Sequence, residues 1–187
     1  MGNNKNPETI AARVISWMFH PLFMPLAGFW IFLNSGSYLA NMPQEGKNFL
    51  YLIVFTSTVV LPALAMPFFL YRRVIKNIEI DNPKERVFPM LATIAFYYLG
   101  YYLLQRVMIP QVLLNYFLCA LILVTVAMII TPFWKISSHM IGIGGLTGAM
   151  AGFSLRLEAD MQIYLVLAVI VTGIVGFARL RQEAHNL

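Results

Sequence analysis

The stretch VMIPQVLLNYFLCALILVTVAMIITPFW, residues 107–134, decides the fold class of this chain. It runs for 28 residues without a charged side chain. A helix that crosses a bilayer needs about 20 mainly apolar residues. Lipid offers no partners for backbone N–H and C=O groups, so a single apolar segment of this length is helical. The stretch therefore predicts a transmembrane helix.

The composition of the whole chain agrees with this prediction. Of its 187 residues, 59% are hydrophobic and only 11% are charged, and the mean hydropathy is +0.72. Soluble domains carry about 25% charged residues. These values exclude an ordinary soluble domain, a disordered chain and a coiled coil. The single cysteine, Cys119, excludes an internal disulfide and a cysteine-based zinc site.

Uncharged windows long enough to cross a bilayer recur along the chain. They are Val14–Gln44, Asn48–Tyr71, Val87–Gln105, Val107–Trp134, Ile136–Leu155 and Met161–Ala178. We therefore expect an all-α integral membrane protein: a six-span helical bundle, one domain over residues 1–187, with both termini on the same side. The prolines inside or near these windows are expected to kink the helices. They are Pro21, Pro25, Pro62, Pro67 and Pro132.

Positive charge is distributed unevenly between the two predicted membrane sides. Side A, the side of both termini, carries Lys5, Arg13, Arg72, Arg73, Lys76, Lys84, Arg86, Lys135, Arg179 and Arg181, whereas side B carries Lys47, Arg106 and Arg156. The positive-inside rule then puts side A in the cytoplasm. Because so much of the surface lies in lipid, the net charge of +5 favours membrane lipids and phosphate as partners, and we expect no nucleic acid.

Three polar segments return to side A in this topology. They are Asp81–Pro89, Lys135–His139 and Arg179–His185. Each piece alone is commonly a membrane anchor or a helix end. Their convergence brings together cations, a hydroxyl group and two histidines, and this combination favours a functional site.

The residue types in these segments suit phosphoryl transfer without a metal. Arg and Lys neutralise phosphate oxygens, and a serine hydroxyl adds a donor. One histidine can attack phosphorus while the other protonates the leaving oxygen. The candidate phosphate ligands are Lys84, Arg86, Lys135, Ser137 and Arg179, and the candidate catalytic residues are His139 and His185. The carboxylates are too scattered for a metal centre, so we expect no metal and no other cofactor.

These segments resemble the motifs of the type 2 phosphatidic acid phosphatase superfamily, the membrane lipid-phosphate phosphatases. That pattern is K-x6-R-P, then P-S-G-H, then S-R-x5-H-x3-D. Residues 136–139, ISSH, resemble the second motif, and Arg179 with His185 keeps the spacing of the third. Residues 84–89, KERVFP, are a looser version of the first, in the wording of a divergent branch from Bacteroidetes-type bacteria.

The resemblance implies a role for each matching residue. His185 is the expected nucleophile, which forms a phosphohistidine, and His139 is the expected acid for the leaving alcohol. The cationic and hydroxyl ligands would hold the phosphoryl oxygens. The carboxylate that closes the third motif would be residue 189, beyond Leu187, so either the sequence is a shortened version or another acid, such as Glu183 or Asp81, substitutes for it.

The resemblance implies a lipid phosphate phosphatase of a bacterial inner membrane. Isoprenyl diphosphate, phosphatidic acid and phosphatidylglycerol phosphate all fit as substrates. Many bacterial relatives act at the outer surface, against the charge-based orientation. The alternative is a non-catalytic lipid-phosphate binder or small membrane transporter that retains the cationic pocket.

Two further features carry their own expectations. His20 lies about 9 Å into the first window at about 1.5 Å per residue, and we expect it to face the bundle interior. A hydrogen-bonded structural histidine is the favoured interpretation, and a residue that lines the site is the alternative. Gly144, Gly148 and Gly152 recur every four residues, with Gly145 and Ala149 beside them, which predicts a small-residue face packed against another helix.

Overall fold

The computed structural model describes residues 14–75, 85–134, 136–157 and 161–184. All regular structure in these residues is helical, as predicted. The helices are α1 (residues 14–18), α2 (Met24–Asn34), α3 (Gln44–Phe55), α4 (Leu61–Tyr71), α5 (Val87–Arg106), α6 (Gln111–Ile130), α7 (Ser138–Leu157) and α8 (Gln162–Ala184). Short 3₁₀ segments at Pro21–Phe23 and Tyr38–Asn41 and a π-helical turn at Thr56–Val60 connect some of them.

Five helical segments of the described chain are long and apolar enough to cross a membrane. They are Val14–Asn34, Gln44–Tyr71, Val87–Arg106, Gln111–Ile130 and Gln162–Leu180. Helix α7 is also 20 residues long but is not among these five, and its five glycines contribute little hydropathy. The five segments indicate an integral membrane protein. The six-span count, the shared side of the termini and the single domain stay predictions.

Prolines interrupt the first two segments at the expected places. The first breaks between α1 and α2 because Pro21 and Pro25 offer no backbone N–H. In the second, the π-helical turn precedes Pro62, and Pro67 lies inside α4. Such π-turns commonly absorb a local irregularity within a longer helix. The helix in the first uncharged window ends before the window does. The window extends to Gln44, whereas α2 ends at Asn34 and α3 begins at Gln44.

The core of the bundle forms where α2 meets α6 and α7. Phe29 and Phe32 of α2 are completely buried, and the Phe32 ring stacks on Phe153 of α7 with centroids 3.7 Å apart. Tyr116 of α6 donates its hydroxyl hydrogen to the Met24 carbonyl oxygen at 2.9 Å. Ring packing and one buried hydrogen bond thus tie the first segment to the middle of the bundle, as close packing and polar contacts do between membrane helices.

The predicted small-residue face of α7 is wrong at Gly144, Gly148 and Gly152 and correct at Gly145. The first three are exposed, and a Cβ at each position would meet no atom of the described chain within 4 Å. The close approaches are made by Gly142, where a Cβ would lie 3.1 Å from the Pro21 Cα, and by Gly145, where it would lie 2.6 Å from Leu123 Cδ1. Periodicity alone identified a glycine stripe but not the face that packs.

Candidate functional site

The break in the first segment places a histidine at the interface between α1, α2 and α7. A residue before proline avoids the helical conformation, and His20 is extended, with φ −63° and ψ 136°. Its Nδ1 accepts a hydrogen bond from the Leu22 backbone N–H at 3.4 Å. His20 therefore caps the Pro21–Phe23 segment, which confirms that it is hydrogen-bonded.

The start of α7 brings a second histidine to the same place. The His139 and His20 rings lie edge to face with centroids 5.5 Å apart. His139 Nε2–H donates to the Ser16 carbonyl oxygen at 3.0 Å, since a carbonyl oxygen only accepts. This contact orients the His139 imidazole and fixes a proton on Nε2. Its Nδ1 is the nitrogen that is left for a ligand.

Arg179 near the end of α8 adds a positive charge beside the two histidines. It lies one helical turn from Gly176, which faces Met140, the neighbour of His139 in α7, and its Nε atom is buried. A Cβ at Gly176 would make ordinary van der Waals contact with Met140 of α7, 3.5 Å from its Cε atom. The end of α8 therefore packs against the start of α7.

Ser137, directly before α7, adds a hydroxyl group. Its Oγ is buried and has no hydrogen-bond partner among the residues that the structure describes. The first backbone N–H groups of a helix also lack intrahelical partners. A buried hydroxyl group and a helix N-terminus at one point favour an anionic ligand.

An apolar cavity of about 170 Å³ lies beside this cluster. Its walls come from the first segment, α5, α6 and α7, and they include Pro21, Met90, Tyr97, Cys119, Ser138 and Gly145. Ser138 adjoins both Ser137 and His139 in sequence, and Pro21 adjoins His20, so two wall residues of the cavity are chain neighbours of the polar cluster. An apolar cavity with a few convergent polar groups is the usual form of a small-ligand site.

Arg86 lies at the same end of the bundle. It directly precedes α5, and the Met90 backbone N–H donates to its carbonyl oxygen at 3.1 Å. Because Met90 lines the cavity, Arg86 is one helical turn from the cavity wall.

The structure brings some of the predicted site residues together, and other predicted residues lie outside the part of the chain that it describes. His139 and Arg179 form one cluster with Ser137 next to them, and Arg86 lies at the same end. Three predicted residues lie outside the described chain, namely Lys84, Lys135 and His185. Asp81 and the Glu183 side chain lie outside it as well. The roles of all these residues stay predictions.

His20 is the neighbour that motif spacing does not include. The signal for it in the sequence is an ionisable residue inside an apolar window and directly before a proline. Comparison with protein families, with characterised proteins and with solved structures finds no match to this chain. The case for a function therefore depends on the site itself.

Proposed function

We propose that this protein is a metal-independent membrane phosphatase that hydrolyses a lipid phosphate or diphosphate. The observation that carries the proposal is the cluster of His139, Arg179 and Ser137, two of which are chain neighbours of Ser138 in the wall of an apolar cavity. An amphiphile with an anionic head and an apolar tail matches both parts. The resemblance of the three polar segments to the lipid-phosphate phosphatases agrees with this ligand.

The head group is held by charge and by directed donors. Arg179 offers a planar set of N–H donors that suits two phosphoryl oxygens at once. The buried Ser137 hydroxyl group gains the partner that the described chain does not provide. Lys84, Arg86 and Lys135 are proposed to neutralise further oxygens.

The tail enters the cavity between the helices. An apolar cavity of about 150 Å³ is large enough to bind a benzene ring, so a volume of about 170 Å³ takes the first part of one hydrocarbon chain. The rest of the chain extends into the lipid. The phosphate thereby lies at the polar end, beside His139.

The proposed reaction has two steps. With His139 doubly protonated, a nitrogen of His185 attacks phosphorus, the bond from phosphorus to the lipid oxygen breaks, and that oxygen takes the Nδ1 proton of His139, whose ring becomes neutral. Water then attacks the phosphohistidine, the P–N bond breaks, and His139 takes the proton from water. Because Nε2–H of His139 is bonded to Ser16, Nδ1 is the atom that gives and recovers this proton.

The second candidate is a non-catalytic lipid-phosphate binder or small transporter. Two observations favour it. One nitrogen of His139 is already used by the Ser16 carbonyl oxygen, and the first membrane segment is broken beside the cluster. Broken helices frequently line the binding sites of transporters.

Phosphate release separates the two candidates. The purified protein in detergent is incubated with octyl phosphate in the presence of EDTA, and inorganic phosphate is measured. We expect turnover that His185→Asn and His139→Asn abolish, together with a phosphorylated protein that His185→Asn cannot form. Binding of octyl phosphate without release of phosphate by the wild type would favour the binder and contradict the enzyme.

We also propose six spans, with both termini on the cytoplasmic side of a bacterial inner membrane. The chain's own positive charges support this orientation. Cys119→Ser is combined with one new cysteine at Asn41 or Asn77, and intact cells are treated with an impermeant thiol reagent. We expect labelling at position 41 and not at position 77. The reverse pattern would contradict the orientation and would favour a site that faces outward.

A further inference from the structure

His20 stands beside the proposed phosphate site without a role in it. It belongs to none of the three polar segments, and its contact with His139, at 5.5 Å between ring centroids, joins elements that are more than a hundred residues apart. A side chain used only as a helix cap does not need a position next to the candidate acid. Two hydrogen bonds define what the pair offers to a ligand.

The first hydrogen bond assigns the proton on His20. Its Nδ1 accepts from the Leu22 backbone N–H, so in the neutral ring the proton is on Nε2. The second places a proton on Nε2 of His139, which donates to the Ser16 carbonyl oxygen and leaves Nδ1 as the nitrogen that can gain or lose a proton. The backbone thus fixes one nitrogen of each ring: His20 provides a donor on Nε2, and His139 provides on Nδ1 a nitrogen that donates when the ring is charged and accepts when it is neutral.

We propose that His20 is a phosphate-binding residue, whose Nε2–H donates to a phosphoryl oxygen while His139 Nδ1 exchanges a proton with the lipid oxygen. This inference rests on the proposed function and extends it by one residue. The charge of Arg179 on the same cluster favours an anion there. A metal ion is disfavoured at this pair, since a metal needs a lone pair on the nitrogen of His20 that carries the proton.

The two nitrogens of His20 can be tested separately. His20→Asn keeps a side-chain oxygen that can cap Leu22, because Asn is a preferred capping residue, but it removes the distant donor. His20→Gln carries an amide N–H near the position of Nε2 and loses the short cap. His20→Ser is a second variant that can cap Leu22 but cannot reach the position of Nε2, and it is used if the Asn variant does not fold.

Binding of octyl phosphate to each purified variant is measured by calorimetry, and unfolding is measured by thermal denaturation, both in the same detergent. We expect His20→Asn and His20→Ser to unfold close to the wild-type temperature but to bind at least about tenfold more weakly, as for the loss of a hydrogen bond to a charged group. We expect His20→Gln to recover part of the affinity at a lower unfolding temperature.

Three outcomes would overturn the inference. Wild-type affinity in His20→Asn would show that His20 only caps the helix, while the phosphate site itself would stand. Binding of Zn²⁺ but not of octyl phosphate, lost in the same variant, would assign the histidine pair to a metal. Absence of octyl phosphate binding by the wild type would remove the proposed function and this inference with it. Binding without turnover leaves the role of His20 supported and contradicts only the catalytic step.

Discussion

The two halves of the first membrane segment behave differently, although only the break at His20 and Pro21 separates them. After the break, α2 is held by aromatic packing: Phe29 and Phe32 are fully buried, and Phe32 stacks on Phe153. Before the break, Ser16 and His20 make polar contacts with the start of α7 and with the Leu22 backbone. The packed region ends at the helix interruption, where backbone groups of the first segment bind the His20 and His139 rings. One segment therefore anchors the bundle at one end and builds the candidate site at the other.

Replacement of a cation at the polar end is expected to have the largest effect. Arg179→Gln should lower kcat/KM for octyl phosphate by about 100-fold or more, because a charge that stabilises the transition state is lost. Phosphate release by the purified variant measures this effect. The matched control is Arg106→Gln. Arg106 is the last residue of α5, at the opposite end of this helix from Arg86, and its guanidinium group donates to the Tyr102 hydroxyl oxygen at 2.8 Å. Equal activities in the two variants would remove Arg179 from the site.

The second-largest effect is expected from a methyl group added within the packed region. Gly28→Ala places a Cβ against the Tyr116 hydroxyl group and ring, so it should lower the free energy of unfolding by about 1–3 kcal/mol. The effect is read as a lower unfolding temperature in detergent. Gly36→Ala is the control, because no described atom lies within 4 Å of a Cβ there. An unchanged unfolding temperature in Gly28→Ala would mean that α2 and α6 separate easily.

Removal of one hydroxyl group tests the hydrogen bond within the same packed region. Tyr116→Phe leaves the ring in place but removes the donor to the Met24 carbonyl oxygen. We expect a loss of about 1 kcal/mol in the free energy of unfolding. Tyr98→Phe is the comparison, since Tyr98 is 62% exposed. If both variants unfold alike, ring packing alone holds α2 to α6.

The smallest effect is expected on the open face of α7, and it should have the opposite sign. Gly148→Ala meets no described atom within 4 Å and replaces a glycine inside a helix, so it should raise the free energy of unfolding by about 0.5–1 kcal/mol. Thermal denaturation in detergent measures this change beside Gly28→Ala. A destabilised Gly148→Ala protein would indicate that this face is covered after all, in agreement with the original prediction from its spacing.

Much of the fold follows from the sequence because the bilayer restricts the choices. Uncharged windows of about 20 residues give helices, and the breaks at Pro21 and around Pro62 follow from the missing N–H of proline. The spacing of residues was less informative about which face of a helix is packed. The four-residue repeat of Gly144, Gly148 and Gly152 predicted packing, whereas Gly142 and Gly145 make the close approaches. Which side of a helix is covered depends on the helices beside it.

For the candidate site, the sequence by itself determined the residue types: two histidines, a serine and several cations in three polar segments. It also marked His20 as an unusual residue within an apolar window. Only the tertiary structure decided that His20 and His139 lie 5.5 Å apart and that the Ser16 carbonyl oxygen binds Nε2 of His139. The physical reason is that apolarity and helix breaks are local properties of a sequence. A contact between residues 20 and 139 depends instead on how the intervening helices pack.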